Sequence, residues 1–203
     1  MPRARTDVRP DDGLSTRERR LRPVLIVNTG DGKGKTTAAM GTALRAWNQG
    51  WSIGIFQFIK SGRWRVGERD AFAALSEAHD RTGIGGRVTW EVMGTGWSWS
   101  RAGENAEPAQ RAHEGWCHVR ELLAAQSHDL YLLDEFTYPL AWGWIDVTEV
   151  VETLAHRPGR QQVIITGRHA PDELVAAADI VTRMEKVKHP FDAGQRGQAG
   201  IEW

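Results

Sequence analysis

Residues 28–37 read N-T-G-D-G-K-G-K-T-T, a glycine-rich stretch between two regular patterns. Before it stands the apolar run V-L-I-V at 24–27, which is typical of a short strand buried on both faces. After it, apolar residues recur at helical spacing over 35–48. A loop between a buried strand and a helix N-terminus directs backbone N–H groups and the positive end of the helix dipole at one point. The stretch therefore predicts a loop that holds a chain of phosphates, built into an α/β fold.

The end of this loop fits the phosphate-loop pattern G-x-x-x-x-G-K-[ST], and its beginning does not. Lys35 would reach the phosphates, and the hydroxyl of Thr36 would ligate a divalent ion that bridges them. The first glycine of the pattern should stand at position 29, where this chain has Thr29, with Gly30 one place later. Either Thr29 fills that corner or the loop is one residue tighter. A tighter loop could hold a nucleotide in an unusual way.

The alternation of strands and helices continues along the chain. Strands are predicted at 24–27, 51–59, 88–93, 129–134, 163–166 and 180–187, and helices at 35–48, 68–78, 106–126, 147–156 and 171–178. Since each return to a parallel strand needs a crossover, this alternation implies a parallel sheet with helices on both faces. We therefore predict an α/β fold of the P-loop NTPase-like (RecA-like) type with a mostly parallel sheet. Ligands of such sheets bind outside the carboxyl ends of the strands.

An acidic pair follows the fourth predicted strand, where residues 129–136 read D-L-Y-L-L-D-E-F. A metal-bound triphosphate needs a carboxylate, and an apolar strand that ends in Asp134 and Glu135 places two of them at the carboxyl edge of the sheet. These acids lie beside the phosphate loop if the two strands are neighbours. One of them would then hold the ion, directly or through water.

Length and composition restrict the class of protein. A chain of 203 residues suits one domain with a closed core, which we assign to 23–203, after a flexible and mildly basic arm at 1–22. The 26 basic residues balance the 26 acidic ones, so nothing indicates a nucleic-acid binder or a membrane-surface protein. A single cysteine, Cys117, and the lack of a long apolar run predict a cytoplasmic protein. His113 and Cys117 share a helical face, but two ligands without a third make a weak metal site.

Aromatic residues are concentrated in the predicted loops that follow the strands. The chain has 10 tryptophans and only 2 tyrosines, and two of these loops read M-G-T-G-W-S-W-S and F-T-Y-P-L-A-W-G-W. Aromatics at the edge where a ligand binds suit a large, flat partner better than a second phosphate ester. The phosphate loop and the acidic pair by themselves leave the reaction open. A small-molecule kinase, an ATPase and a nucleotide-dependent binding module all remain compatible with them.

Seven segments together resemble the corrinoid adenosyltransferases. They are T-G-D-G-K-G-K-T-T-A-A at 29–39, Q-F-I-K at 57–60, G-E-R at 67–69, T-G-W-S-W at 95–99, L-D-E-F-T-Y at 133–138, V-I-I-T-G-R at 163–168 and K-H-P-F-D-A-G at 188–194. They occur in order along the chain from Pro23 to Trp203. The resemblance implies transfer of the 5'-deoxyadenosyl group of ATP to the cobalt(I) of cob(I)yrinic acid a,c-diamide, cobinamide or cobalamin, with release of triphosphate.

The resemblance also implies roles for individual residues. The phosphates would be held by Gly30, Asp31, Gly32, Lys33, Gly34, Lys35, Thr36 and Thr37. Thr36 and Glu135 would ligate Mg2+ (or Mn2+), with Asp134 as a further ligand or behind one, and Lys35, Thr36 and Glu135 would carry the catalysis. The family is known for a shortened phosphate loop and a nucleotide placed the reverse way round, which matches the departure at Thr29.

The corrinoid site is implied by the same resemblance. Trp97 and Trp99 align with the aromatic pair that packs against the lower face of the corrin, and the family has phenylalanine where this chain has Trp97. A reduced flavoprotein or flavin would then supply the electron that makes cobalt(I). Arg168 and Glu68 lie in family-like motifs at the strand ends and are candidate ligand contacts. The protein would be a homodimer, in which the arm at 1–22 either caps the corrinoid or is a disordered leader.

Overall fold

A computed structural model describes residues 13–59, 67–94 and 106–201. The strands are β1 Leu25–Thr29, β2 Ile53–Gln57, β3 Val88–Val92, β4 Leu130–Asp134, β5 Gln162–Thr166 and β6 Ile180–Arg183. The helices are α1 Thr16–Arg20, α2 Lys35–Asn48, α3 Gly67–Thr82, α4 Ala106–Ala124, α5 Thr137–Ala141, α6 Val147–Ala155 and α7 Asp172–Ala177, and a 3-10 helix spans Pro190–Ala193.

The six strands form one sheet in the order β3-β2-β4-β5-β1-β6, and every pairing is parallel. The predicted parallel α/β sheet is therefore confirmed. The strand that precedes the phosphate loop, β1, and the strand that ends in the acidic pair, β4, are not neighbours, because β5 lies between them. The sequence placed the acidic pair beside the loop on the condition that these two strands are neighbours, and that condition is not met. Their contact depends on side chains that reach across the end of β5.

Alternate residues of the central strands enter two separate cores, as the period of two in a strand requires. One core joins side chains such as Phe56, Tyr131 and Ile165 to α4, α6 and α7. The other joins Ile55, Leu132 and their neighbours to α2 and α3. Strands β2 and β4 are buried along their whole length, which explains their nearly continuous apolar sequence.

Helix α2 has the predicted bounds, Lys35–Asn48. Its buried face consists of small residues and one methionine, namely Ala39, Met40, Ala43 and Ala46. Small side chains allow the helix to lie close to the sheet, and alanine favours a helix more than any other residue. The N-terminus of α2 is thereby fixed at the end of β1.

Three short elements were not predicted from the sequence. Helix α1 lies within the segment assigned to the arm, and a capping box stabilises it: Glu18 N–H donates to Ser15 Oγ at 3.2 Å and Ser15 N–H donates to Glu18 Oε2 at 2.7 Å. The S-x-x-E spacing was a usable signal for it. Helix α5 lies in a segment that was predicted to be a strand-end loop, and the 3-10 helix follows the last predicted strand.

The last strand is shorter than predicted. We expected 180–187, but β6 ends at Arg183, where its pairing with β1 ends. The chain then leaves the sheet and crosses the loop that follows β1. No helix of the described ranges is long and apolar enough to span a bilayer.

Candidate nucleotide site

The phosphate loop runs from Gly30 to Gly34, between β1 and α2. Thr29 is the last residue of β1 and is buried, and its Oγ1 accepts the N–H of Ala170 at 3.3 Å. Gly30 and Gly34 both have left-handed backbones, with φ of 97° and 103°. Thr29 therefore belongs to the strand, and the loop begins one residue later than in the usual pattern.

The chain after β6 lies directly on this loop. We call Met184 and Glu185 the strap. Gly32 N–H donates to Met184 O at 2.7 Å, and Met184 N–H donates to Thr29 O at 2.8 Å. A Cβ on Gly32 would lie 2.6 Å from Glu185 O, a distance that real Cβ atoms essentially never show. The close approach of the strap therefore requires glycine at position 32.

The side chain of Lys35 turns into the loop. Its Nζ donates to Gly30 O at 2.8 Å and to Gly32 O at 2.6 Å. Burial lowers the pKa of Lys35, and the nearby charge of Arg168 lowers it further, while Asp31 and the acidic pair oppose this effect. A half-buried ammonium is thus held by two carbonyl groups of the loop at the start of α2.

Asp134 is fully buried at the end of β4 and accepts hydrogen bonds from three other segments. Thr36 Oγ1 donates to its Oδ1 at 2.8 Å, and Thr166 Oγ1 donates to the same oxygen at 2.7 Å. Gln57 Nε2 donates to Oδ2 at 3.2 Å. These bonds join the start of α2 to the ends of β2, β4 and β5. Asp134 is therefore directly connected to the phosphate loop, although its strand is not adjacent to β1.

Glu135 has a strained backbone, with φ of 59°. A left-handed conformation costs a residue with a Cβ about 1–2 kcal/mol, so something must hold it. Its N–H donates to Thr166 Oγ1 at 3.0 Å. This bond ties the turn after β4 to the end of β5, and the side chain of Glu135 is half-buried there.

Arg168 and the first turn of α5 form the neighbouring wall of the site. Arg168 is exposed, and its carbonyl accepts Thr137 Oγ1 at 2.6 Å. Gly167 precedes Arg168, and a Cβ added to it would lie 2.1 Å from Thr137 Oγ1, so the close packing of these two segments requires glycine there. Burial raises the pKa of Tyr138 to about 12, so its phenol stays neutral.

The aromatic residues proposed for a flat partner are only partly described. The ring centroids of Tyr138 and Trp142 lie 5.4 Å apart, and those of Trp142 and Trp144 lie 4.6 Å apart. Trp144 also packs against the core on the α4 side of the sheet. Trp97 and Trp99 lie outside the described residues.

The remaining predicted residues lie around the loop. Asp31, Lys33 and Thr37 are exposed, and Lys33 Nζ is 3.5 Å from Ile201 O, so the C-terminal segment returns to the loop. Glu68 lies in the first turn of α3. His113, set aside as a metal ligand, is exposed on α4 with its Nδ1 3.7 Å from Cys117 Sγ.

Gln57, Thr166 and the strap were not predicted from the sequence as parts of the site. Gln57 and Thr166 are the last residues of β2 and β5, both are buried, and both contact Asp134. A polar residue that ends an apolar strand was the available signal, because such residues meet at one edge of a parallel sheet. The strap left no comparable signal.

The donors at this edge suit a hard cation. Thr36 and Asp134 offer a hydroxyl and a carboxylate within 2.8 Å of each other, and Glu135 follows Asp134 directly. Within the described ranges no three His, Cys, Asp or Glu side chains are grouped so that they could hold a metal. A Mg2+ ion typically uses one or two carboxylates together with substrate phosphates, so these residues fit an ion that arrives with a nucleotide.

A parallel sheet with a glycine loop after β1, a lysine folded into that loop and a buried acid bonded to the loop threonine is the architecture of P-loop nucleotide-binding proteins. The family model of the ATP:corrinoid adenosyltransferases BtuR/CobO/CobP matches residues 21–203. The chain belongs to this family.

Comparison with known proteins supports the same assignment. The chain is 43% identical over 182 residues to the corrinoid adenosyltransferase of Escherichia coli K12, covering 90% of this chain and 86% of that protein. It is 42% identical to the corrinoid adenosyltransferase CobA of Salmonella typhimurium, with the same coverage. Among solved structures, domain III of the Thermotoga maritima replication initiation protein DnaA matches with a TM-score of 0.35 and 14% identity, over 82% of this chain and 55% of that one. That likeness is too weak to add to the assignment.

Proposed function

We propose that the protein transfers the 5'-deoxyadenosyl group of ATP to the cobalt(I) of a corrinoid and releases triphosphate. The observation that carries this proposal is the joint placement of Lys35 within the loop and of Asp134 against Thr36, in a chain of this family. The electron pair of cobalt(I) forms the bond to C5' of the ribose, the C5'–O bond breaks, and its electron pair leaves with the triphosphate.

In this reaction the phosphate loop holds a leaving group. Negative charge develops on the triphosphate oxygen as the C5'–O bond breaks, and the Lys35 ammonium and the loop N–H groups stabilise it. The phosphates are held by the set at 30–37: Gly30, Asp31, Gly32, Lys33, Gly34, Lys35, Thr36 and Thr37. The N–H of Gly32 is already bonded to Met184 O, so the other loop N–H groups carry this binding.

Thr36, Asp134 and Glu135 would hold a Mg2+ ion that accompanies ATP. When bound, the ion would neutralise part of the charge on the departing triphosphate. The oxygen donors and the burial of Asp134 support this assignment. Cobalt(I) is a strong enough nucleophile to need no general base. Burial raises the pKa of Tyr138 to about 12, so its phenol stays protonated and is not a candidate base.

The corrinoid would lie at the same edge of the sheet. Trp97 and Trp99 would pack against its lower face and displace the axial ligand of cobalt(II), so that a reduced flavoprotein or flavin can reduce the metal. Arg168 would contact a ligand charge, which its exposed position beside Lys35 supports.

We also propose a homodimer formed by the domain at 23–203, in which the arm at 1–22 either caps the corrinoid or is a leader. Strand β6 supports this proposal, because parallel strands are normally covered on both faces whereas Ile180 and Val181 are 48% and 39% exposed. Sedimentation equilibrium of the whole chain would test it, and a monomer at assay concentration would refute it.

The catalytic proposal is tested with MgATP and chemically reduced cob(I)alamin under anaerobic conditions. We expect the light-sensitive adenosyl product and one intact triphosphate per turnover. Lys35→Ala should abolish both, whereas His113→Ala, which changes an exposed residue of α4, should not. Formation of ADP would instead indicate a kinase or ATPase, and unchanged ATP would indicate a binding module.

A further inference from the structure

The end of β5 occupies the gap between the phosphate loop and the acidic pair. Strand β5 pairs with β1 on one side, where Thr166 is in register with Asn28, and with β4 on the other. Thr166 is its last residue and is fully buried. Its hydroxyl is therefore the group that lies between the two halves of the nucleotide site.

This one hydroxyl bonds to both acidic residues. It donates to Asp134 Oδ1 at 2.7 Å and accepts the N–H of Glu135 at 3.0 Å. A hydroxyl has one hydrogen and two lone pairs, so the two bonds are compatible and fix its rotation. Thr36 donates to the same Oδ1 of Asp134, so a shift of this carboxylate after a substitution at Thr166 would also alter its hydrogen bond with Thr36.

The bond from Glu135 N–H to the Thr166 hydroxyl stabilises a strained backbone. At φ of 59° this residue stays in the left-handed region only if its surroundings hold it there. Loss of the hydroxyl would leave the N–H of Glu135 without this acceptor and would remove a reason for the strained turn. The position of the Glu135 side chain next to Asp134 would then be less restricted.

We infer that Thr166 is a positioning residue that sets the orientation of Asp134 and Glu135 together and so tunes the binding of the nucleotide-borne metal ion. This inference rests on the proposed function, since it concerns the same site. Groups that orient metal ligands typically change metal affinity or activity 10–100-fold, roughly, when they are removed. A threonine that only filled space would affect stability instead.

The experiment compares Thr166→Val, which keeps the shape and removes the hydroxyl, with Thr166→Ser, which keeps the hydroxyl. The control is Thr89→Val, which removes a partly buried hydroxyl on β3 that contacts Ile53 O and His128 instead of the acids. Binding of Mn2+ in the presence of ATP is measured by electron paramagnetic resonance, with thermal unfolding and adenosyl transfer recorded for the same samples.

We expect Thr166→Val to bind Mn2+ about 10–100-fold more weakly, and Thr166→Ser and Thr89→Val to stay within about threefold of the original chain. Equal Mn2+ binding by Thr166→Val would overturn the inference, as would an equal loss in Thr89→Val. If Thr166→Val does not fold, Thr166→Ala, which adds no atom, replaces it with the same expectation. An unsubstituted chain that binds Mn2+ and ATP but transfers no adenosyl group would refute the proposed function and leave this inference standing.

Discussion

Replacement of Gly32 by alanine tests the contact between the strap and the phosphate loop. The added Cβ would lie 2.6 Å from Glu185 O, 2.7 Å from Glu185 C and 2.9 Å from Met184 C, all of them backbone atoms. Ordinary contact begins at 3.4 Å, so the strap must move by roughly 1 Å. That movement would also break the 2.7 Å bond from Gly32 N–H to Met184 O.

The expected loss of stability follows from these two effects. Overpacking against atoms that cannot rotate away costs about 1–3 kcal/mol, and the lost hydrogen bond costs about 0.5–1.5 kcal/mol. Together they predict that Gly32→Ala lowers the free energy of unfolding by about 1.5–4.5 kcal/mol. In a domain of this size, that corresponds to a Tm decrease of about 3–18 °C.

A glycine on α2 provides the matched control. Gly41 is exposed inside this helix, and a Cβ there would meet nothing within 4 Å. Gly41→Ala should therefore stabilise the protein by about 0.5–1 kcal/mol, because alanine loses less backbone entropy in a helix. Both variants are compared by circular dichroism during heating and in urea. A Gly32→Ala chain that unfolds at the temperature of the original chain would refute the claim that the strap constrains the loop.

Three further predictions concern pH and helix capping. Because burial lowers the pKa of Lys35 from its ordinary value of 10.5, kcat/KM for ATP should fall with rising pH around a midpoint below 10.5. Arg168→Gln removes a nearby positive charge and should raise that midpoint, and an unchanged midpoint would contradict the effect of Arg168 on Lys35. Burial also lowers the pKa of His128 from 6.5, so the stability that its neutral form contributes is present above pH 6.5 and is lost as pH falls through the lowered pKa. In urea unfolding at several pH values, His128→Gln should lose less stability toward acid than the original chain, and an equal loss in both chains would contradict this prediction. Asp146 caps α6 by accepting the N–H of Thr148 at 2.9 Å, so Asp146→Ala should lower the free energy of unfolding in urea by about 0.5–2 kcal/mol. Asp146→Asn, which keeps an acceptor oxygen, should lower it much less, and equal decreases would show that the cap bond is unimportant.

Parts of this fold could be predicted because their signals are local. The bounds of α2 follow from small and apolar residues at helical spacing, and the alternation of strands and helices requires a parallel sheet. The unusual loop was visible as a missing glycine at Thr29. The capping box of α1 was equally local and was overlooked.

The end of β6 and the helix α5 could not be predicted in the same way. The apolar pattern of 180–187 continues past Arg183, but a strand continues only where a neighbour offers hydrogen bonds, and β1 ends at Thr29. Helix α5 contains a proline and two residues poorly suited to helices, and its burial compensates for them.

The sequence by itself determined which residues are candidates for holding phosphate and metal: a glycine loop before a helix, and an acidic pair after a buried strand. Only the tertiary structure decided how they meet. Asp134 is joined to Thr36 across 98 residues, to Gln57 across 77 and to Thr166 across 32. The physical reason is that helix and strand preferences arise among near neighbours, whereas strand order is set by burial of the whole sheet. The order of β4, β5 and β1 therefore places Thr166 where its hydroxyl bonds to both acidic residues, while Thr36 bonds to Asp134 directly.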